Sequence, residues 1–329
     1  MPAALPYEPL YELTYAKYSS QCLQVIADMG VADHIGNQPV SIADLASSCR
    51  ADPDGLDRAL RLLAAHGVFA EQDGGWAHTP SSRLLRSDHP MSMRAAILMH
   101  GLPHIVASLG ALEYSVQTGG PASATLDPGG LWGYLRKHPD EAAVVNQAMR
   151  ARANALIASV LDAYDFTPFG TIADIAGGLG HLLRAVLDAA PAAQGILFDQ
   201  PSVIATVEVD HPRLTVWPGD FFSDPLPTAD AYLLMHVIHD WADPEAVAIL
   251  GAVRKGARTG STVLLIESVI SEEGADLVTL ALDINMLVAT GGRERTLSQL
   301  GGLLERAGFR TRRVIDTTGP ASIIEAGAV

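Results

Sequence analysis

Asp174-Ile175-Ala176-Gly177-Gly178-Leu179-Gly180 joins an apolar run, Thr171-Ile172-Ala173, to the helically spaced His181-Leu182-Leu183-Arg184-Ala185-Val186-Leu187. Strand, glycine turn and helix form the opening half of a nucleotide-binding βαβ unit. Glycines let the backbone turn tightly and let a ligand lie against bare peptide groups. A second apolar run, Gly195-Ile196-Leu197-Phe198, ends at Asp199. That carboxylate stands about 20 residues past the turn, where a ribose-binding group is expected. The turn is Gly-Gly-x-Gly with Asp174 before it, not the six-position Gly-x-Gly-x-x-Gly of dinucleotide folds. Asp174 would repel a pyrophosphate and attract the ammonium of a methionine moiety. The spacing therefore favours S-adenosylmethionine (SAM) over NAD.

Composition narrows the function classes. A chain of 329 residues can hold two domains and a substantial core. Its formal net charge of -15 argues against a nucleic-acid partner, which needs a positive surface. Cys22 and Cys49 are too few for a disulfide scaffold or a thiolate metal site and suit a reducing compartment. Residues Met1 to Glu8 have no basic region leading into an apolar run, so no secretory signal is expected. No uninterrupted apolar stretch reaches the roughly 18 residues of a membrane span. A cytoplasmic protein without a membrane partner is expected.

The front of the chain, residues 1–98, reads as a helical domain closing in a small β element. Leu10 to Met29 has helical apolar spacing, and Ser41 with Asp44 forms a capping box before a short helix. Asp52-Pro53-Asp54-Gly55 leads into an amphipathic helix to Ala65, and Gly67 to Thr79 reads as a hairpin around Asp73-Gly74. This is a winged-helix arrangement. Its second helix offers only Arg58 and Arg61 as cations, beside Asp54 and Asp57, which suits a structural or dimerising role better than DNA reading. Apolar and aromatic residues at Leu10, Tyr11, Tyr15, Tyr18, Leu23, Val25 and Ile26 exceed what so small a unit can bury, and a homodimer is expected.

Residues 99–329 read as the catalytic domain. An apolar segment rich in glycine and proline contains His100 and His104, four apart, with no third ligand near, so no metal site is expected. A long helix from Pro139 to Ala163 leads into the glycine turn. Strand-like runs follow at 213–217, 231–235, 261–267 and 322–325, separated by helical runs such as 244–254 and 297–307. Asp243-Pro244 is expected to cap the first of these. The result is an α/β, doubly wound sheet, which binds ligands at the carboxyl ends of its strands. Three motifs fall there: Gly219-Asp220-Phe221-Phe222, His236-Val237-Ile238-His239-Asp240-Trp241, and the loop Gly291-Gly292-Arg293-Glu294-Arg295-Thr296.

Together with Asn146-Gln147-Ala148-Met149 and Tyr164-Asp165-Phe166, these motifs resemble the plant-type small-molecule O-methyltransferases, a SAM-dependent family with bacterial members in secondary metabolism. The resemblance implies a class I, Rossmann-like methyltransferase sheet behind a winged-helix dimerisation domain. It implies His239 as general base, with Glu294 and Glu325 as the carboxylates holding its ring. Asp199 would hold the ribose, Asp220 and Phe221 the adenine. Asp174, Gly177, Gly178, Gly180, Gln200, Gly219, Met235, His236 and Trp241 complete the cofactor-facing set. Asn146, Met149, Asn285 and Met286 would face the methyl acceptor, a small aromatic or polyketide-like hydroxyl compound. Two positions depart from the family pattern: Met235 stands where Lys or Arg is usual, and Ala153-Asn154 where a serine is usual, leaving Arg150 or Asn154 for that contact. An ordinary histidine, of pKa about 6.5, would be mostly neutral at pH 7 and able to take the proton. Other readings are N- or C-methylation or SAM-assisted decarboxylation or hydroxylation on the same fold, and a winged-helix ligand-sensing regulator.

Overall fold

The computed structural model describes residues 5–329, apart from the side chains at 152, 154 and 155, so the contact expected of Asn154 lies outside the described residues. The chain divides into two compact units. One comprises residues up to 106 together with 138–151; the other comprises 107–137 and 152–329. The helix Pro139–Ala163 contributes to both.

In the first unit, α1 (Glu8–Asp28), α2 (Ile42–Cys49) and α3 (Pro53–Ala65) precede a hairpin of β1 (Phe69–Gln72) and β2 (Gly75–His78). Local chemistry sets each boundary. Ser41 accepts from the Asp44 amide at 3.2 Å and donates to its carboxylate at 2.7 Å. Asp52 accepts from the Gly55 amide at 2.8 Å with Pro53 in the first turn of α3. Asp73 and Gly74 both have positive φ, as a tight hairpin turn requires. Ile26, Leu45, Leu60, Leu63, Phe69 and Trp76 form the core. Arg58 and Arg61 are held by Asp54 at 3.7 Å and Asp57 at 2.6 Å, so α3 presents paired charges. His100 ends the helix Arg94–His100 and His104 belongs to the helix Pro103–Gly110, so the two do not share one helical face.

The second unit carries a seven-stranded sheet in the order β5-β4-β3-β6-β7-β9-β8. Its strands are β3 (Thr171–Ile175), β4 (Gln194–Asp199), β5 (Leu214–Pro218), β6 (Ala231–Met235), β7 (Thr262–Glu267), β8 (Phe309–Asp316) and β9 (Ser322–Ala328). β3 to β7 are parallel, and β9 runs antiparallel to both β7 and β8. The central strands are buried apolar runs, as expected when helices cover both faces. The order reverses around β3, which pairs with β4 on one side and β6 on the other. That switch point opens a ligand crevice at the carboxyl ends.

Two details differ from the sequence reading. β8 is an additional strand; Arg310, Arg312 and Arg313 obscure its pattern, and charges of this kind protect an edge strand from further pairing. The helix Asp243–Gly256 takes Ala242 as its N-cap residue, without a side-chain cap, because the Asp243 carboxylate is bound by Arg295 at 2.8 Å.

The apolar run of α1 also divides. Ile26 is 1% exposed and Leu23 packs against the unit's core, whereas Leu13 is 74% and Tyr15 57% exposed, beside exposed Leu10, Tyr11 and Tyr18. An exposed apolar face of this size marks an interface. Removing residues 1–28 would take Ile26 out of the core, so point changes are the cleaner test. Leu13→Lys combined with Tyr15→Lys should leave the circular-dichroism spectrum intact, since Lys is a good helix former, and reduce the mass seen by light scattering to one chain. An unchanged dimer mass would place the interface elsewhere.

Candidate active site

The ends of five parallel strands of the second unit, β3 to β7, carry the candidate site. At the end of β3, Ala176, Gly178 and Gly180 all have positive φ, and a Cβ on Gly177 would lie 2.5 Å from the Asp174 carboxyl and 2.6 Å from Leu197. The turn is therefore drawn tightly over Asp174, with bare backbone facing outward. Asp199, at the end of β4, accepts from the amides of Gly178 at 2.8 Å and Gln200 at 2.6 Å. Asp174 is 2% exposed, and its Oδ2 has no hydrogen-bond partner among the described residues. Burial, reinforced by the charge of Asp199, pushes its pKa up to about 8. Burial also raises Asp199, against the pull of its two amides. Two carboxyl groups, one of them dry with an oxygen unpartnered among the described residues, suit a cationic ligand and reject a pyrophosphate. SAM, with its sulfonium and ammonium, fits this cradle.

Beyond β5 and β6 the crevice becomes aromatic. Trp241 packs edge-on against Phe221 at 5.7 Å and Phe222 at 4.8 Å between ring centroids. These rings line a cleft of about 360 Å³ with Gln200, Asp220 and Trp132. Gly219 lets the chain pass close to the Phe198 ring, since a Cβ there would lie 2.8 Å from it.

The third element is a buried cluster of charge around His239, which is 6% exposed. Its Nδ1 lies 2.8 Å from Oε1 of Glu294 and 3.8 Å from Oε2 of Glu267; Asp240 lies 3.8 Å from Nε2. β6 is followed at once by His236, a non-glycine residue at φ 53°, a conformation that costs roughly 1–3 kcal/mol. The turn that follows aims the amides of Val237 (3.2 Å) and Ile238 (2.8 Å) at Oε1 of Glu267, at the end of β7. Burial alone would lower the His239 pKa; the charges of Glu267, Glu294 and Asp240 more than offset it and hold the ring up at about 9. The ring is thus a far stronger base than free histidine, not the mostly neutral imidazole expected from its ordinary pKa. Burial likewise raises Glu267, against the pull of the His239 charge.

The loop bearing Glu294 is fastened from three sides. The Glu294 amide donates to Asp283 at 2.8 Å. Arg295, 2% exposed, donates to the carbonyls of Ile238 at 3.0 Å and Trp241 at 2.8 Å while binding Asp243. Gly292 abuts the His239–Trp241 backbone so closely that a Cβ would overlap the His239 carbonyl.

The expected residues separate accordingly. Asp174, the glycines and Asp199 come together, as do His239 and Glu294. Glu325 does not join them: on β9 its carboxylate is taken by Arg313 at 2.7 Å and the Tyr164 hydroxyl at 3.1 Å, so the second carboxylate beside His239 is Glu267. Met235 packs against the apolar core under β6, an apolar place that explains why no cation stands there. Asn285 is half-buried and Met286 buried on the helix Leu277–Ala289; Asn146 and Met149 are exposed in the segment that clusters with the first unit. Glu267, Arg295 and Asp283 were not singled out from the sequence. For Glu267 a signal existed: a carboxylate closing the apolar run Val263 to Ile266, next in the sheet to the strand that leads to His239.

Comparison with known proteins bears on the chain as a whole. Residues 111–310 match the model of the O-methyltransferase domain, and residues 11–88 match that of the O-methyltransferase dimerisation domain. A phenazine O-methyltransferase of Lysobacter antibioticus is 37% identical over 96% of this chain and 95% of its own. An 8-amino-8-demethylriboflavin N,N-dimethyltransferase of Streptomyces davaonensis is 36% identical over 87% of this chain and 85% of its own. The crystal structure of an O-methyltransferase from neocarzinostatin biosynthesis, in complex with SAM and 2-hydroxy-5-methyl naphthoic acid, superposes with a TM-score of 0.83 at 31% identity, covering 99% of this chain and 100% of that one.

The raised pKa of Asp174 makes ligand binding a proton-linked event. A cationic ligand selects the ionised carboxylate, so SAM affinity should tighten between about pH 6 and about pH 8. Calorimetry near neutrality should detect net proton release, and Asp174→Asn should abolish both the release and the pH dependence. Affinity that does not change with pH in the wild type would mean that Asp174 is already ionised.

Proposed function

The chain belongs to the O-methyltransferase family, as a SAM-dependent enzyme that pairs through a dimerisation domain, and we propose that it methylates a phenolic hydroxyl of a small aromatic or polyketide-like metabolite with His239 as general base. The observation that carries this reading is the 2.8 Å contact between His239 and Glu294 within a cluster that raises the ring to about 9. A phenol has a pKa near 10. Proton transfer to an ordinary histidine would be uphill by about 3.5 pKa units, roughly 5 kcal/mol. Against a ring at about 9 the gap falls to about one unit, near 1.4 kcal/mol. Basicity has been matched to a weakly acidic hydroxyl.

In this reading Glu294 receives the hydrogen bond of Nδ1–H, fixing the tautomer so that Nε2 carries the free lone pair. Nε2 takes the hydroxyl proton as the acceptor oxygen attacks, and the imidazolium is held among Glu294, Glu267 and Asp240. Arg295 and Gly292 keep the loop in register. SAM, when bound, supplies the methyl group on a sulfonium, which departs as a neutral thioether. Asp174 and the turn of Gly177, Gly178 and Gly180 would hold its methionine end and Asp199 its ribose. Gln200, Gly219, Asp220, Phe221, Met235, His236 and Trp241 belong to the same side of the assignment, and Asn146, Met149, Asn285 and Met286 to the acceptor side. A nitrogen acceptor, as the riboflavin relative's name specifies for that enzyme, is the second reading. An arylamine is neutral at pH 7 and needs no strong base, so the His239 cluster favours the hydroxyl. We also place the enzyme in the cytoplasm, a reading supported by its two free thiols.

His239→Ala should lower turnover by about 10²-fold or more while SAM affinity holds; Glu294→Gln should act in the same direction, more weakly. Full methyl transfer by both variants would eliminate the acid–base assignment. At saturating SAM, kcat/KM for a phenolic acceptor should climb from neutrality with a midpoint near pH 9, because only about 1% of a base with that pKa is free at pH 7. Glu267→Gln should shift the midpoint towards neutrality. A profile already flat at pH 7 would mean that His239 has an ordinary pKa.

A further inference from the structure

The cluster at the ends of β6 and β7 contains a donor set that proton transfer alone does not require. His236, His239 and Glu267 each bring a metal-binding atom to within 4.8 Å of the other two. Oε2 of Glu267 lies 3.8 Å from Nδ1 of His236 and 3.8 Å from Nδ1 of His239. Glu267 is 1% exposed, and among the described residues this oxygen accepts no hydrogen bond. Its sister oxygen is fixed by the amides of Val237 and Ile238, so Oε2 is held pointing between the two rings. A spacing of 3.8 Å is too long for a hydrogen bond. It is close to the roughly 3.4 Å that separates two ligands of one tetrahedral ion with bonds of about 2.1 Å.

We propose that His236, His239 and Glu267 form a binding site for a borderline divalent cation such as Zn²⁺, and that its occupation inhibits the enzyme by capturing the base. Two imidazoles and one carboxylate are a zinc-type donor set, whereas Mg²⁺ prefers oxygen ligands and its own waters. Glu294 and Asp240 add negative charge around the same rings, which favours a cation further. Coordination replaces the proton on a His239 nitrogen with the metal; the proton leaves to solvent, and the lone pair that would have accepted the hydroxyl proton is committed or its basicity is withdrawn. The inhibition, unlike the binding, rests on His239 acting as the base.

Cobalt is the direct probe. Titrating the intact enzyme with Co²⁺, without SAM or acceptor, should produce visible absorption saturating at one equivalent per subunit and abolished by Zn²⁺. His236→Gln and Glu267→Gln should each weaken Co²⁺ binding on the order of 10-fold to 100-fold, with folding checked by thermal melts. Anomalous scattering from Zn²⁺-soaked wild-type crystals locates the ion without any variant. Zn²⁺ should suppress methyl transfer reversibly with EDTA, and Mg²⁺ should not. No Co²⁺ binding at millimolar concentration, or an ion located on other residues, would overturn the site. An ion found on this triad with methyl transfer undiminished would uphold the site and overturn His239 as the base.

Discussion

Much of this active site depends on one buried carboxylate, Glu267. It closes a strand whose preceding four residues, Val263 to Ile266, are apolar, and it has drawn two backbone amides onto one of its oxygens. Those amides are available only because β6 gives way at His236 to a turn with positive φ. The strain and the amide contacts are two parts of one arrangement. The carboxylate fixes the turn, the turn presents His239, and the charge left over raises the basicity of the ring it has presented.

A second buried carboxyl group with an unpartnered oxygen stands at the cofactor end. Asp174 is as dry as Glu267 but works in the opposite sense. It stands beside Asp199 ready for a cation that arrives from outside, while Glu267 sustains a cation that the protein makes itself. Charge therefore accumulates at the carboxyl ends of β3, β4, β6 and β7, on either side of the strand-order reversal. A neutral lining at those positions could still shape a pocket, but it could neither select a sulfonium nor hold an imidazolium.

What could be read from the sequence was whatever chemistry is local. The glycine turn, Asp199 after its apolar run, the N-cap at Ser41 and the hairpin at Asp73-Gly74 are each specified within a few residues and appear where expected, although the Asp44 carboxylate takes the Ser41 hydroxyl and so leaves the capping box half-made. The partner of His239 could be read only half-way. Glu294 sits in a motif of its own, whereas Glu267 is linked to His239 solely by the pairing of β6 with β7, which no local pattern encodes. Glu325 was misplaced for the same reason: it lies on β9, beside β7, yet its side chain meets Tyr164 and Arg313. β8 escaped because its outward-facing arginines resemble a solvated loop.

The place of β9 has a consequence for how the molecule comes into being. It follows β8 in the chain but lies inside it, between β7 and β8. Until β9 exists, β7 keeps one bare edge, and β7 is a run of buried residues that are almost all apolar. Such an edge is a template for pairing with the wrong chain. The sheet is thus completed from within by a late hairpin whose partner was synthesised some sixty residues earlier, a pairing of long sequence separation and correspondingly slow closure. Glu267 stands at the end of that waiting edge, so the carboxylate that faces His239 is also the one ionisable group on the strand most exposed to misassembly.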